Sequence, residues 1–339
     1  MYNNKTILIT GGTGSFGHNF VRFLLTNFRP KKVIVFSRDE FKQFRMQEEF
    51  AKHKNMRFFL GDIRDLPRLQ RAFQGVDIVV HAAALKQVPA LEYNPFEAIQ
   101  TNIIGSQNVI NASLDQGVNK VLFISSDKAA HPVNLYGATK MCAEKLFISS
   151  NVYNSSESKK RTDFSVVRYG NVIGSRGSIV ETIRNNIDKP LFLTHKDMTR
   201  FLITLDQCFK LVTFSIEKMV GGEIFVPKIP SMKMADLFSA LAPRNSVKIT
   251  GIRPGEKIHE ILITQDEAKN TFDLGKYYII LPHSARQSKI YSKYLKYTHL
   301  ADKQFVYSSN TNSEWLDVEI IKKMMLKDDP IRKTKHNKR

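Results

Sequence analysis

The chain carries only two cysteines, Cys142 and Cys208, in 339 residues. That is too few for a disulfide framework or a four-thiolate metal site, so a reducing compartment is the simpler setting and both read as small buried apolar residues. No apolar run approaches the roughly 20 residues a membrane helix needs. The N-terminal MYNNKTILITGG also lacks the charged and apolar regions of a signal peptide. The expectation is a soluble, cytoplasmic protein with no membrane partner. Acidic residues are scarce, 32 against 51 Lys and Arg, which leaves a formal net charge of +19. That surplus admits nucleic acid, an anionic membrane or a phosphorylated small molecule as partner, because each offers negative charge. Charge alone does not choose among them. Part of it lies in the tail Lys327–Arg339, where six basic and two acidic residues follow the last apolar run, a pattern that reads as a solvated, flexible tail.

What is present is a regular alternation of short β-rich runs and longer helical stretches. Strands are expected at Thr6–Thr10, Val33–Ser37, Arg57–Leu60, Asp77–His81, Val121–Ser125 and Phe164–Arg168, each apolar enough for burial on both faces. Between them Phe16, Phe20, Phe23 and Leu24 recur at helical spacing, as do Phe96, Ile99, Ile103 and Ile104. Strand, helix, strand, repeated, means a parallel sheet covered on both sides. The fold class is α/β, a Rossmann-type doubly wound parallel sheet with a smaller α+β substrate-binding lobe. Residues 1–172 form the expected nucleotide-binding core, 173–326 mainly the lobe with some segments returning to the core, and 327–339 the basic tail. In the lobe, short elements are expected at Ile224–Pro227, Met234–Leu241 and Tyr277–Leu281, with a final helix from Glu314 to Leu326 whose apolar face includes Trp315, Ile320, Ile321 and Met324.

Strand Thr6–Thr10 runs into Gly11-Gly12-Thr13-Gly14-Ser15-Phe16-Gly17. Its glycines at 11, 14 and 17 open a helix, the context in which the backbone can approach a pyrophosphate held at a helix N-terminus. The second strand ends at Ser37-Arg38 rather than at the acidic residue that would hold a free ribose hydroxyl. Arg38, with Lys42 one turn later, offers two cations for a 2′-phosphate, so the expected cofactor is NADP. Asp62 and Ile63 after the third strand are placed toward the adenine, and the small residues Ala82, Ala83 and Ala84 after the fourth leave room for the cofactor.

Tyr136-Gly137-Ala138-Thr139-Lys140 sets a phenol and an ammonium at i and i+4 on one helix face, which Asn134 can cap. A nearby ammonium and an oxidised nicotinamide both favour the phenolate that a base requires. The preceding strand finishes in Ser125-Ser126-Asp127-Lys128 at the same carboxyl edge. Consecutive strand residues point to opposite faces, so the strand must end near Ser126 for Asp127 and Lys128 to reach one ligand. His81 and His259 have no partners at metal-ligand spacing and read as packing, and no metal is expected.

On these residues the chain resembles the extended short-chain dehydrogenase/reductases. More closely, Thr10–Gly17, Phe36–Glu40, His81–Pro89, Ser125–Lys140, Arg168–Ser178, Met198–Phe201 and Gly251–Glu260 together are similar to the configuration-inverting nucleotide-sugar 4,6-dehydratases that act on UDP-N-acetylglucosamine at the start of pseudaminic acid synthesis. The resemblance covers nearly the whole chain up to about residue 326. It implies Tyr136 as the base for C4 oxidation with Lys140 behind it, Lys128 as the base at C5 and Asp127 as the acid at C6. Both of the last two roles need shifted pKa values, a neutral lysine and a protonated aspartic acid, and desolvation pushes each that way. It further implies cofactor contacts from Val172, Ser175 and Arg176, and substrate contacts from Ser125, Ser126, Asn171, Ile179, Thr194, Arg200, Arg253 and Glu256. Lys86 is left between cofactor and substrate. The family usually has Thr where this chain has Ser126, which keeps the hydroxyl and loses the β-branch. The resemblance also implies a homo-oligomer. Two other readings remain open at this point: a nucleotide-sugar 4-epimerase sharing Tyr136, Lys140 and the glycine turn, and a non-catalytic NADP-binding protein whose basic surface engages a polyanion, although no nucleic-acid partner is expected.

Overall fold

The structure is a computed structural model that describes residues 1–153, 161–175, 177–186, 189–282, 289–300 and 304–327. The first six apolar runs form strands β1 (Thr6–Thr10), β2 (Lys32–Ser37), β3 (Met56–Leu60), β4 (Ile78–His81), β5 (Lys120–Ile124) and β6 (Asp163–Val167), each within a residue of its expected bounds. They pair in the order β3-β2-β1-β4-β5-β6, all parallel. The order reverses between β1 and β4, and ligands of open α/β sheets bind at the carboxyl ends beside such a switch point. Both strands there are buried on both faces, which is why their sequences run apolar without alternation.

The connecting helices are α1 (Ser15–Asn27), α2 (Glu40–Glu49), α3 (Leu66–Ala72), α4 (Val88–Tyr93), α5 (Pro95–Ile99), α6 (Gly105–Gln116) and α7 (Leu135–Ser149). The phenylalanine stripe of α1 packs around Phe209 of the helix Leu205–Lys218, with Phe16, Phe20 and Phe23 ring centroids 5.7, 5.6 and 5.2 Å from it. Such contacts add about 0.5–1.5 kcal/mol per pair beyond the area they bury. The second expected stripe does not bury as a unit. Phe96 and Ile104 are 65% and 44% exposed, because α5 ends after little more than a turn and passes into a π-helical turn, Gln100–Ile104. That turn changes the residue spacing on which the stripe was read.

Beyond β6 the sheet continues through Ile224–Pro227, parallel to it, and then antiparallel through Tyr277–Ile280, Thr271–Asp273 and Thr298–His299, to ten strands among the described residues. A second, smaller apolar cluster joins the helices Ile179–Arg184, Met234–Leu241 and Val318–Lys327 through Val180, Ile183, Leu237, Phe238 and Ile321. The last helix starts four residues later than expected. Residues 314–316 lie extended against Ser231, whose N–H donates to Glu314 O and whose carbonyl accepts from Leu316 N, both at 2.8 Å. Asp317 Oδ1 then accepts from Ile320 N at 2.7 Å, so Trp315 belongs to the bridge and not to the helix. The tail from residue 328 onward lies outside the described residues.

Candidate active site

At the end of β1 the chain turns into α1 with little room for any side chain. Gly11 has φ +65°, and a Cβ on it would lie 2.8 Å from the Ala83 backbone; one on Gly17 would lie 2.5 Å from Gly12 Cα. Neither position tolerates alanine without moving backbone. The first turn of α1 has no side-chain cap at Gly14, and a helix N-terminus favours an anion. A cavity of about 500 Å³ begins there, lined among others by Gly11, Gly14, Ser37, Arg38, Lys42, Ile63, Ala82, Ala84 and Thr101. The buried Thr101 hydroxyl has no hydrogen-bond partner among the described residues. These residues fit a dinucleotide: backbone amides for its pyrophosphate, small side chains for its width and a free hydroxyl at the walls. Arg38 and Lys42 stand at the rim, Arg38 Nη1 3.4 Å from Asp62 Oδ2 and Lys42 Nζ bonded to Asp39. Asp62 itself turns from the cavity to Arg64, whose Nε donates to it at 3.0 Å.

The cavity is continuous, through Gly11, Gly14, Lys42, Ala82 and Ala84, with a larger one of about 750 Å³. Ser15, Phe16, Gly17, Lys86, Ser125, Ser126, Asp127, Lys128, Tyr136, Lys140, Asn171, Val172, Ser175 and Ile179 line it together. The spatial convergence expected of the phenol, the carboxyl and the amine is therefore present in one hollow. Strand β5 stops at Ile124, and Ser126 caps the single 3₁₀ turn Asp127–Ala129. Its Oγ accepts from Lys128 N at 3.3 Å and donates to Asp127 Oδ1 at 2.8 Å. That break in the strand turns two consecutive side chains to the same side, and Lys128 Nζ comes to 3.1 Å from Asp127 Oδ1.

Helix α7 brings the other half. Asn134 Oδ1 accepts from Gly137 N at 2.8 Å and starts it. One turn after Tyr136, Lys140 Nζ donates to Ile124 O at 2.6 Å and lies 4.0 Å over the Phe123 ring. Burial lowers the Lys140 amine to about 7, with Glu144 opposing. Burial raises the Tyr136 phenol, against the pull of the Lys128 charge and the Ser126 hydroxyl. Lys140 thus gives the phenolate little support in the free chain, because an amine lowered to about 7 carries little charge where the phenol ionises.

Asp127 behaves as an acid should. Burial lifts its carboxyl above the usual range, Lys128 pulls it down, and Glu260 pushes it up again. Lys128 reverses the sequence expectation: burial acts to lower it, but Asp127 and Glu260 outweigh burial and hold the amine above its ordinary value. Glu260, which the sequence reading assigned no role, is buried with Oε1 3.3 Å from Lys128 Nζ and 3.7 Å from Arg200 Nε, and Oε2 3.5 Å from Lys257 Nζ. No spacing rule links position 260 to 127 and 128. Asn102 in the π-helical turn was missed too: its amide brackets Leu85, accepting from its N–H at 2.8 Å and donating to its carbonyl at 2.9 Å, and so fixes the loop that carries Lys86. Three buried acceptors or hydroxyls on the cavity wall have no hydrogen-bond partner among the described residues: Ser125 Oγ, Asp127 Oδ2 and Asn171 Oδ1. Buried polar atoms are seldom left so, and a polar ligand in the hollow, or ordered water, would satisfy all three.

Several expected contacts do not reach the cavity wall. Arg200 is buried and its guanidinium is already given to carbonyls, Nη1 to Thr199 O and Ile258 O at 2.7 and 3.0 Å and Nη2 to Lys257 O at 3.0 Å. It is therefore no free fork for a diphosphate. Thr194 Oγ1 donates to Met198 Sδ at 3.6 Å inside the lobe. Arg253 and Glu256 sit on a loop tied by Gly255 O to Asn134 Nδ2 at 2.8 Å, beside the start of α7 but outside the hollow. Arg176 lies outside the described residues. His81 is packed between Thr10 Oγ1 at 2.7 Å and Ser106 Oγ at 3.1 Å, and His259 accepts or donates to Thr199 Oγ1 at 2.9 Å. No group of three His, Cys, Asp or Glu suited to a metal occurs among the described residues, nor any helix long and apolar enough to cross a membrane.

Residues 7–282 match the family model described as polysaccharide biosynthesis protein. A Campylobacter jejuni protein named UDP-N-acetylglucosamine 4,6-dehydratase (inverting) is 49% identical over 93% of this chain and 95% of its own. A Rickettsia felis protein named UDP-glucose 4-epimerase is 39% identical over 99% of this chain and all of its own. Among solved structures, Pen from Bacillus thuringiensis superposes with a TM-score of 0.86 at 37% identity, covering 97% of this chain and 99% of that one. The chain belongs to this polysaccharide biosynthesis family and is a relative, at 49% identity over nearly its whole length, of an inverting UDP-N-acetylglucosamine 4,6-dehydratase.

Proposed function

We propose that the protein is an NADP-dependent UDP-N-acetylglucosamine 4,6-dehydratase that inverts C5, giving UDP-2-acetamido-2,6-dideoxy-β-L-arabino-hex-4-ulose on the way to pseudaminic acid. The observation that carries this reading is the hydrogen-bonded Asp127–Lys128 pair in the same hollow as Tyr136, where the dinucleotide cavity opens into it. The cavity lined by Gly11, Gly14, Ala82 and Ala84 would hold an oxidised nicotinamide dinucleotide, which would supply a hydride acceptor for C4 and the same hydride for C6; the Lys128 charge favours the Tyr136 phenolate. Tyr136 removes the O4 proton. The resulting C4 ketone acidifies C5–H. Lys128 takes that proton as an amine, the C5–H electrons form the C5–C6 double bond, and the C6 oxygen leaves as water with the proton of Asp127; once hydride has added at C6, the enolate takes a solvent proton at C5 on the face opposite the one Lys128 deprotonated, which inverts that centre. The ion pair supplies both states at once: transfer of one proton from the Lys128 ammonium to the Asp127 carboxylate makes the neutral base and the neutral acid together, and the elimination restores the charged pair. Ser125 and Asn171, with their unpaired buried atoms, hold the sugar. The Arg38 and Lys42 cations favour a 2′-phosphate. We further infer a cytoplasmic homo-oligomer whose core and lobe divide near residue 172.

Incubation with UDP-N-acetylglucosamine is expected to give a product lighter by one water. A 4-epimerase, the reading that the Rickettsia relative's name favours, would return a product of unchanged mass and has no use for an acid and a base at 127 and 128.

A further inference from the structure

The Asp127–Lys128 pair does not stand alone. Glu260, at the start of the strand Ile261–Ile263, reaches it from the opposite side, its backbone fixed by Ser309, whose N–H donates to Glu260 O at 2.8 Å and whose Oγ accepts from Glu260 N at 2.9 Å. Lys128 Nζ lies 3.1 Å from Asp127 Oδ1 and 3.3 Å from Glu260 Oε1, so the amine is held between two buried carboxylates. The charged and titratable groups facing this cluster are Tyr136 from α7, Arg200 from the strand Thr199–Ile203, and Lys257 from the loop before Glu260, whose Nζ also donates to Ala130 O at 2.7 Å. Two carboxylates and three cations leave one positive charge over, in a place where burying an unbalanced charge is costly.

We propose that Glu260 is a positioning residue for the elimination half-reaction: its carboxylate holds the Lys128 amine against Asp127 and keeps one proton on that pair across the working pH range. This inference rests on the dehydratase reading above. Elimination needs the pair to hold one proton. A second proton, taken up at low pH, leaves Lys128 without a free electron pair; loss of the only proton, at high pH, leaves Asp127 with nothing to donate. A negative charge beside the pair raises both limits and a positive charge lowers both. Lys257 sits on the far side of Glu260 and acts in the opposite sense.

The test is the pH dependence of the dehydration rate of the holoenzyme with UDP-N-acetylglucosamine, beside the amount of nicotinamide reduced in the first turnover. Glu260→Gln keeps the shape and an acceptor oxygen but removes the charge. It is expected to move both limbs of the profile to lower pH by about 1 to 3 units, while reduction of the nicotinamide, whose base is Tyr136, persists. Lys257→Met is expected to move both limbs to higher pH, and it decides the matter on its own if Glu260→Gln does not fold. Lowered rates with unmoved limbs in the folded variants overturn the inference and leave the dehydratase reading standing. A wild-type protein that reduces no nicotinamide and releases no water overturns both.

Discussion

Arg168 closes a bidentate ion pair on Glu144, Nε 3.0 Å from Oε1 and Nη2 2.6 Å from Oε2, with all of it buried. Glu144 stands one helical turn beyond Lys140 and two beyond Tyr136, and Arg168 follows β6, so this pair fixes the catalytic face of α7 to the sheet. The same guanidinium reaches Glu267 at 2.9 Å and Leu262 O at 2.9 Å. Arg168→Met leaves two carboxylates facing each other without a cation, and breaking a buried pair in this way costs about 3–5 kcal/mol. Denaturant unfolding is expected to show that loss, whereas a change under about 1 kcal/mol would mean that water already screens the site.

Lys128→Met separates the two halves of the reaction. Mixing the variant with substrate is expected still to reduce the nicotinamide, more slowly because the Lys128 charge no longer favours the Tyr136 phenolate, while release of water slows by about 10²- to 10⁴-fold, the usual worth of a general base. Tyr136→Phe loses both halves by a similar factor and keeps its affinity for the cofactor, measured by fluorescence titration. If Tyr136→Phe oxidised the sugar at the wild-type rate, another group would have to be the base.

The choice of cofactor is tested at Arg38. Arg38→Ser is expected to weaken NADP binding by about 10- to 100-fold, the worth of a charge-assisted hydrogen bond, and to leave NAD binding nearly unchanged. Equal losses for both cofactors would show that Arg38, with its 3.4 Å contact to Asp62, supports the loop and does not read the phosphate.

Acid sensitivity follows from His81. Burial, with the Lys140 charge adding to it, lowers its pKa from 6.5 to about 3. The unfolded chain therefore binds one more proton than the fold between those values, and stability rises with pH across that window and levels off above about 6.5. The slope from this residue is at most about 1.4 kcal/mol per pH unit. Denaturant midpoints measured across the window check the sign, and His81→Gln is expected to flatten the curve even though it loses the contacts to Thr10 and Ser106.

The parallel half of the fold was legible because its strands are buried on both faces and its punctuation is glycine. Gly11 must take φ +65°, and a sequence shows where only glycine can do so. Tyr136 and Lys140 were legible through helical spacing, and Asp127 and Lys128 through adjacency at a strand end. Glu260 was not, since nothing local ties it to Lys128; only the return of the lobe onto the sheet brings a residue more than a hundred positions away to 3.3 Å. Arg200 looked like a substrate contact because sequence reports a charge and not its partners, here three backbone carbonyls. The sign of the Lys128 shift failed for the same reason. Desolvation is foreseeable from an apolar neighbourhood, whereas a second carboxylate arriving from another element is not.

The central claim is that one sugar is oxidised at C4, loses its C5 proton to Lys128 and water from C6, and regains its own hydride. The most direct measurement is NMR of the product formed from UDP-N-acetylglucosamine deuterated at C4. The account predicts that deuterium at C6 of a 6-deoxy-4-keto sugar, with solvent hydrogen at an inverted C5. A C4 epimer that keeps the label at C4 and an unexchanged C5 would contradict it.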